Sequence, residues 1–267
     1  MPNNGRYSIA FDPLDGSSLV DVNLAVGTIV SIYEGDNLLR PGRNQVAALY
    51  VLYGPRTTMV VSTGKGVHEF AMNQLMEFDL VQENIQLEGP AKIYAPGGLR
   101  SKYTKGTLAF VRSLEASGTK LRYSGGFVPD INQVLIKGGG IFLYPHLTDN
   151  PHGKLRLLYE LNPMAFLVEQ AGGVQQHFKH QHRFCRRAQR HHRRHLHVGK
   201  VAIAILVAGV LDLDADGAGI GVGLALPARH ARMPGAAFLA HHLGDHAALV
   251  DEIVTGDAGG FAAQQVA

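Results

Sequence analysis

Cysteine occurs once in these 267 residues, at position 185, so no disulfide framework can brace the chain internally. Apolar runs of membrane length are missing too. The longest, VAIAILVAGVL at 201–211, stops at Asp212, well short of the roughly 20 residues a spanning helix needs. The first residues hold no basic region followed by an apolar stretch, and this predicts a cytoplasmic address. Charge of one sign is scarce where it would matter. The formal net charge is +3, yet residues 1–173 carry 15 Lys+Arg against 15 Asp+Glu, and the excess lies in residues 174–267, with 10 against 7. A generally basic working surface is therefore excluded for the first part. What the chain does have is 46% hydrophobic residues, enough to bury a core.

The composition changes near Gly173. No tyrosine follows Tyr159, no asparagine Asn162, no serine Ser124 and no lysine Lys200. Beyond that point HFKHQHRFCRRAQRHHRRHLH packs seven histidines into 21 residues, and an Ala/Gly-rich stretch follows. Residues with GC-rich codons dominate, so 174–267 is read as an aberrant, poorly ordered tail from a frameshifted or wrong-frame translation, joined to a genuine protein spanning 1–173. The coding DNA tests this: no sensible continuation in another frame would sink it.

Residues 1–173 predict a mixed α/β chain of layered strands and helices. Strands are expected at YSIAF, GTIVSIYEG, QVAALYVLYG, TTMVVSTG, GVHEFAM, AKIYA and GGGIFLYP, with a hairpin around Gly64–Gly66. NPMAFLVEQAGG predicts a helix with Asn162 as N-cap, Pro163 at the first helical position and Gly172 ending it. TKGTLAFVRSLEAS predicts a second helix.

The stretch YSIAFDPLDGSSLVDVN delivers two acids to one point. Pro13 lacks an N–H and should stop the strand. Asp12 and Asp15 then bracket a tight bend in which the Leu14 carbonyl can also face inward. Three hard oxygen donors this close suit Mg²⁺ or Mn²⁺, and the carboxylates repel each other without a cation. Gly16 permits close backbone approach, and Ser17 and Ser18 offer donors suited to phosphate oxygens. The same letters also suit a plain turn.

FDPLDGSS resembles the signature of class 1 fructose-1,6-bisphosphatases. STGKGVHEF, GGGIFLYP and NPHGKLRLLYELNPMAFLVEQAGG follow in that family's order. The resemblance implies the sugar-phosphatase fold shared with inositol phosphatases, here incomplete. It implies a phosphoric monoester hydrolase that removes the 1-phosphate of fructose 1,6-bisphosphate with Mg²⁺ (or Mn²⁺), leaving fructose 6-phosphate. Sedoheptulose bisphosphate is the alternative substrate, and gluconeogenesis and photosynthetic carbon fixation both stay open as the pathway. By the same resemblance Asp12, the Leu14 carbonyl, Asp15 and Glu160 are metal ligands, and Asp15, Gly16, Ser17 and Ser18 hold the departing phosphate. Tyr123, Tyr144 and Lys154 grip the sugar and its other phosphate, Arg122 serves a neighbouring subunit's site, and the chain is a homotetramer.

Two departures bear on activity. The family carries a segment with further acidic ligands before the point matching MPNNGR, so the chain reads as truncated there. Its closing segment also has no counterpart in VQQHFKHQHRF. This 267-residue chain is therefore expected to be weakly active or inactive alone. In addition, Gly97 and Gly98 stand where many members have a substrate-contacting asparagine. The rival function is a binding module: Arg186, Arg187, Arg190, Arg193 and Arg194 for nucleic acid, with His177, His180, His182, His191, His192, His195 and His197 for Zn²⁺ or Ni²⁺. That cluster lacks finger spacing and stacking aromatics, so nucleic acid is not the expected partner.

Overall fold

Val, Ile, Leu and Tyr alternate with smaller or polar residues through the first eighty positions, and in the computed structural model this pattern becomes six consecutive strands. They are β1 (Tyr7–Asp15), β2 (Val26–Glu34), β3 (Gln45–Tyr53), β4 (Thr57–Ser62), β5 (His68–Met72) and β6 (Phe78–Gln82). Each pairs antiparallel with the next. The structure describes residues 6–88, 91–145, 147–150, 153–177, 200–201, 203–207 and 262–263. The hairpin expected around Gly64–Gly66 joins β4 to β5, with Val61 opposite His68 and both glycines at positive φ. β6 was not expected from sequence; its residues FDLVQ are partly exposed and include a charge.

A second sheet of mixed direction is built from β7 (Ile93–Pro96), β8 (Lys120–Leu121), β9 (Gly140–Tyr144), β11 (Val174–His177) and β13 (Ile203–Val207). β7 runs parallel to both β8 and β9, and β13 pairs antiparallel with β9 and β11. This sheet continues past residue 173, the boundary read from composition. Leu155–Arg156 (β10) pairs with Lys200–Val201 (β12), and Ala262–Ala263 (β14) lies beside β1. The Arg and His cluster from His180 to His197, with Cys185, falls outside the described residues.

Three α-helices complete the layers: α1 (Lys105–Ala116), α2 (Phe127–Ile136) and α3 (Asn162–Gln170). α2 and α3 are sandwiched between the two sheets. Ile29, Tyr50 and Val60 meet them from one side and Phe142 and Ala95 from the other, with Phe127 and Phe142 ring centroids 4.7 Å apart. α1 covers the outer face of the second sheet, Val111 and Leu114 packing on Tyr94, Ile141 and Leu143. Thr104 caps α1 by accepting the Thr107 N–H. No helix among the described residues is long and apolar enough to cross a membrane.

Two expectations need correcting, and both concern the site. First, Pro13 does not end β1. The strand runs on to Asp15 through a bulge: Asp12 lies opposite Ile29 and Asp15 opposite Gly27, so three steps on β1 span two on β2. The ladder tolerates a residue without an N–H because the bulge leaves it unpaired, and the Pro13 carbonyl accepts a bond from Thr28 Oγ1 at 2.9 Å. Second, Asn162 is not an N-cap. A π-helical turn, Leu157–Leu161, runs directly into α3, and Asn162 itself is helical at φ −59°, ψ −48°. Its buried amide instead donates to the Tyr33 hydroxyl at 3.3 Å. Gly172 does end α3, at φ 85°.

Candidate active site

Residues three apart on a regular strand point to opposite faces. The extra residue in the β1 bulge reverses that parity, so Asp12 and Asp15 both turn to the inner face, where both are buried. The bulge delivers the two acids, in place of the tight bend expected from Pro13. Asp12 Oδ1 is fixed by the Leu14 N–H at 3.1 Å. Asp15 Oδ2 accepts the N–H of Val128, in the first turn of α2, at 2.7 Å.

The third acid comes from the π turn. Leu158 packs against Ala10 of β1, and its carbonyl accepts from Ser31 Oγ at 3.4 Å, which seats the turn on the sheet. Glu160 then points back toward β1. Asp12, Asp15 and Glu160 each offer a carboxylate oxygen, all within 4.8 Å of one another. Arg156 is the cation paired with Glu160 among the described residues. Its Nη1 lies 2.8 Å from Glu160 Oε1, and its backbone N–H also donates to Glu160. The spacing of four residues between Arg156 and Glu160 is the sequence signal for this pair.

Burial dominates the electrostatics. It pushes the Asp15 carboxyl up to about 7, helped by repulsion from Glu160 and Asp12 and opposed by the Val128 N–H. Burial raises Glu160 too, against the pull of Arg156. The cluster thus holds more negative charge than its surroundings neutralise, and oxygen-only donors fit a hard divalent cation. Because the folded Asp15 value lies above 3.8, its contribution to stability is present below about pH 4 and is lost as pH rises through about 7. The cation-free chain should therefore lose on the order of 3 kcal/mol between pH 5 and 8 from this group. Melting in EDTA checks this, and Asp15→Asn should flatten the difference.

Tyr123 lies within electrostatic reach of Asp15, and Gly16, Ser17 and Ser18 follow Asp15 directly in the chain. Gly16 takes a left-handed conformation at φ 77° and leads into a short 3₁₀ turn, Ser17–Val22, where Ser17 and Ser18 are exposed beside Asp15. Tyr123 and Tyr144 neighbour each other, and the Tyr123 hydroxyl is pushed up to about 12 by burial and by Tyr144, Asp130, Tyr103 and Asp15. Lys154 Nζ sits 5.9 Å from the Tyr144 ring centroid. Arg122 opens instead onto a cavity of about 570 Å³ that Arg100, Tyr103 and Tyr123 also line. It forms no ion pair with the described residues.

Gly97 explains itself: a Cβ there would lie 2.3 Å from Tyr144 Cδ2, so no side chain fits while that ring stays in place. Gly97→Ala should expel the ring at a cost of about 1–3 kcal/mol. Calorimetric melting measures the loss.

A family model described as "Fructose-1-6-bisphosphatase, N-terminal domain" matches residues 1–83, and one described as "Fructose-1-6-bisphosphatase, C-terminal domain" matches residues 87–205. The chain belongs to the fructose-1,6-bisphosphatase family. A protein of Syntrophotalea carbinolica named "Fructose-1,6-bisphosphatase class 1" is 72% identical over 170 residues, 64% of this chain and 53% of that protein. A like-named protein of Geobacter metallireducens is 72% identical over 171 residues, 64% of this chain and 54% of its own. In Methanocorpusculum labreanum the identity is 47% over 175 residues, 65% of this chain and 53% of that protein. The chain thus spans about half the length of the curated relatives it matches. Within this bisphosphatase framework, sequence reasoning missed α2 altogether, and with it the Val128 N–H on Asp15. That helix is only ten residues long, has no side-chain N-cap bond at Gly126, and carries Pro129 in its first turn, so little in the sequence marks its start.

Proposed function

We propose that the acid cluster serves hydrolysis of the 1-phosphate of fructose 1,6-bisphosphate with Mg²⁺, Mn²⁺ being the alternative ion. The observation that carries this reading is the convergence of Asp12, Asp15 and Glu160 beside an exposed Gly-Ser-Ser turn. These acids, with the Leu14 carbonyl, would hold the cation, which when bound supplies charge neutralisation at the phosphoryl oxygens and lowers the pKa of the attacking water.

The rest is positioning by the chain itself. Asp15, Gly16, Ser17 and Ser18 bind the phosphate that leaves. Tyr123 and Tyr144 orient the sugar. Lys154, packed on the Tyr144 ring, places a fixed positive charge for the remote phosphate, whose binding energy aligns the reacting end. Arg122, without an ion pair among the described residues, is the group assigned to a neighbouring subunit's site in a homotetramer working in the cytoplasm.

Turnover by this chain alone is expected to be weak or nil. The test pairs binding with turnover. Fructose 6-phosphate should bind the 267-residue chain more tightly with Mg²⁺ than with EDTA, and Asp15→Asn should remove the difference. Phosphate release from fructose 1,6-bisphosphate should be slow. Mg²⁺-independent binding overturns the reading, and normal turnover overturns the expectation of weak activity.

A further inference from the structure

We propose that Asp130 is a positioning residue: its buried carboxylate fixes the Tyr123–Gly126 turn against the acid-bearing turn, so that one sugar phosphate meets both, an inference that rests on the sugar-phosphate reading above. Asp130 lies in the first turn of α2 and is fully buried. Its Oδ1 accepts the Ser124 N–H at 2.8 Å. Its Oδ2 has no well-formed hydrogen bond among the described residues, and no ion pair offsets its charge there. A carboxylate is a costly way to fill such a position if packing were all it did.

The segment it holds is fixed mainly from α2, where the Gly126 carbonyl also accepts the Asp130 N–H at 3.3 Å. Ser124 to Gly126 belongs to no strand or helix, Gly125 stands at φ 99°, and the Ser124 hydroxyl bonds to Gly126 within the turn and, with the Gly125 N–H, also faces the Asp130 carboxylate. Tyr123 is the residue immediately before.

The same turn touches the phosphate-binding stretch through Leu19. A Cβ at Gly16 would lie 3.3 Å from Leu19 Cδ1, one at Gly125 3.3 Å from Cδ2, and one at Gly126 3.1 Å from Cδ1. Three glycines from two turns thus form a socket for one side chain. The first turn of α2 anchors both turns at once: Asp130 accepts from Ser124, while Val128 donates to Asp15. Loss of the Asp130 acceptor would leave the Ser124 N–H unpaired and free the Tyr123 side, with the Asp15 side still held.

Asp130→Ala and Asp130→Asn in the full 267-residue chain test this, the asparagine keeping an acceptor for Ser124. Amide hydrogen exchange by NMR should speed up about tenfold or more at Ser124 in the alanine variant. Fructose 6-phosphate binding should weaken about tenfold while Mn²⁺ affinity stays within about twofold. The asparagine variant should recover both readouts to within about threefold. Unchanged Ser124 exchange in Asp130→Ala overturns the proposal. So does an asparagine variant as impaired as the alanine one, or a parallel fall of sugar phosphate, Mn²⁺ and melting temperature. If the parent chain binds no fructose 6-phosphate, the functional reading falls, and Ser124 exchange still decides whether Asp130 holds the turn.

Discussion

Glu160→Gln should abolish the stabilisation that divalent cations confer while leaving the cation-free fold almost unchanged. A divalent cation held by the cluster at about a hundred times its dissociation constant would add about 2.7 kcal/mol, which for a chain of this size would raise the melting temperature by about 5–10 °C. Glutamine is isosteric and keeps an acceptor for the Arg156 N–H. The ion pair with Arg156 is lost, but that guanidinium is about half exposed and turns to water. Burial already disfavours the charged form of Glu160, so neutralising it relieves repulsion with Asp12 and Asp15. A cation-induced shift that survives in Glu160→Gln, measured by calorimetry with and without EDTA, would remove Glu160 from the ligand set.

The second large effect comes from a residue with no chemistry of its own. A Cβ on Gly27 would lie 2.6 Å from Val128 Cβ and 2.6 and 2.7 Å from its two methyls. The nearest atom is fixed to a helix backbone and cannot swing away, so α2 itself must move. Gly27→Ala should cost about 1–3 kcal/mol or more. It should also draw the Val128 N–H off Asp15, whose carboxyl would rise further, weakening Mn²⁺ binding at pH 7 about tenfold. The double variant Gly27→Ala/Val128→Gly transfers the space from one side of the contact to the other. It should be no less stable than Val128→Gly alone, a coupling of about 1–3 kcal/mol in a double-mutant cycle. Additive losses by urea unfolding would show that the contact is not what fixes α2.

Much of this site was readable because its chemistry is written in short range. Asp12 and Asp15 flank a proline, and strands β2 to β5 alternate plainly enough to be placed from residue type. What escaped depends on partners distant in the chain. Whether Pro13 ends a strand or sits in a bulge is decided by the pairing with β2, which continues opposite Gly27. Asn162 has the letters of a cap, but the π turn before it already supplies helical backbone, and its amide serves Tyr33 instead. α2 is short and opens on Gly126 with no side-chain cap, so the signals that mark a helix start are missing there. Gly97 looked like a missing contact until Tyr144 was seen lying over it.

The order of strands β1 to β6 has a kinetic corollary. Each strand pairs with its immediate successor, so that sheet can zip from local hairpins with modest loop-closure entropy. The contacts that complete the acid cluster are remote: 113 residues separate Asp15 from Val128 and 127 separate Ser31 from Leu158. A chain emerging from the ribosome therefore brings Asp12 and Asp15 together long before Glu160 exists to join them, and a cation held by all three acids would mark the close of folding rather than its beginning.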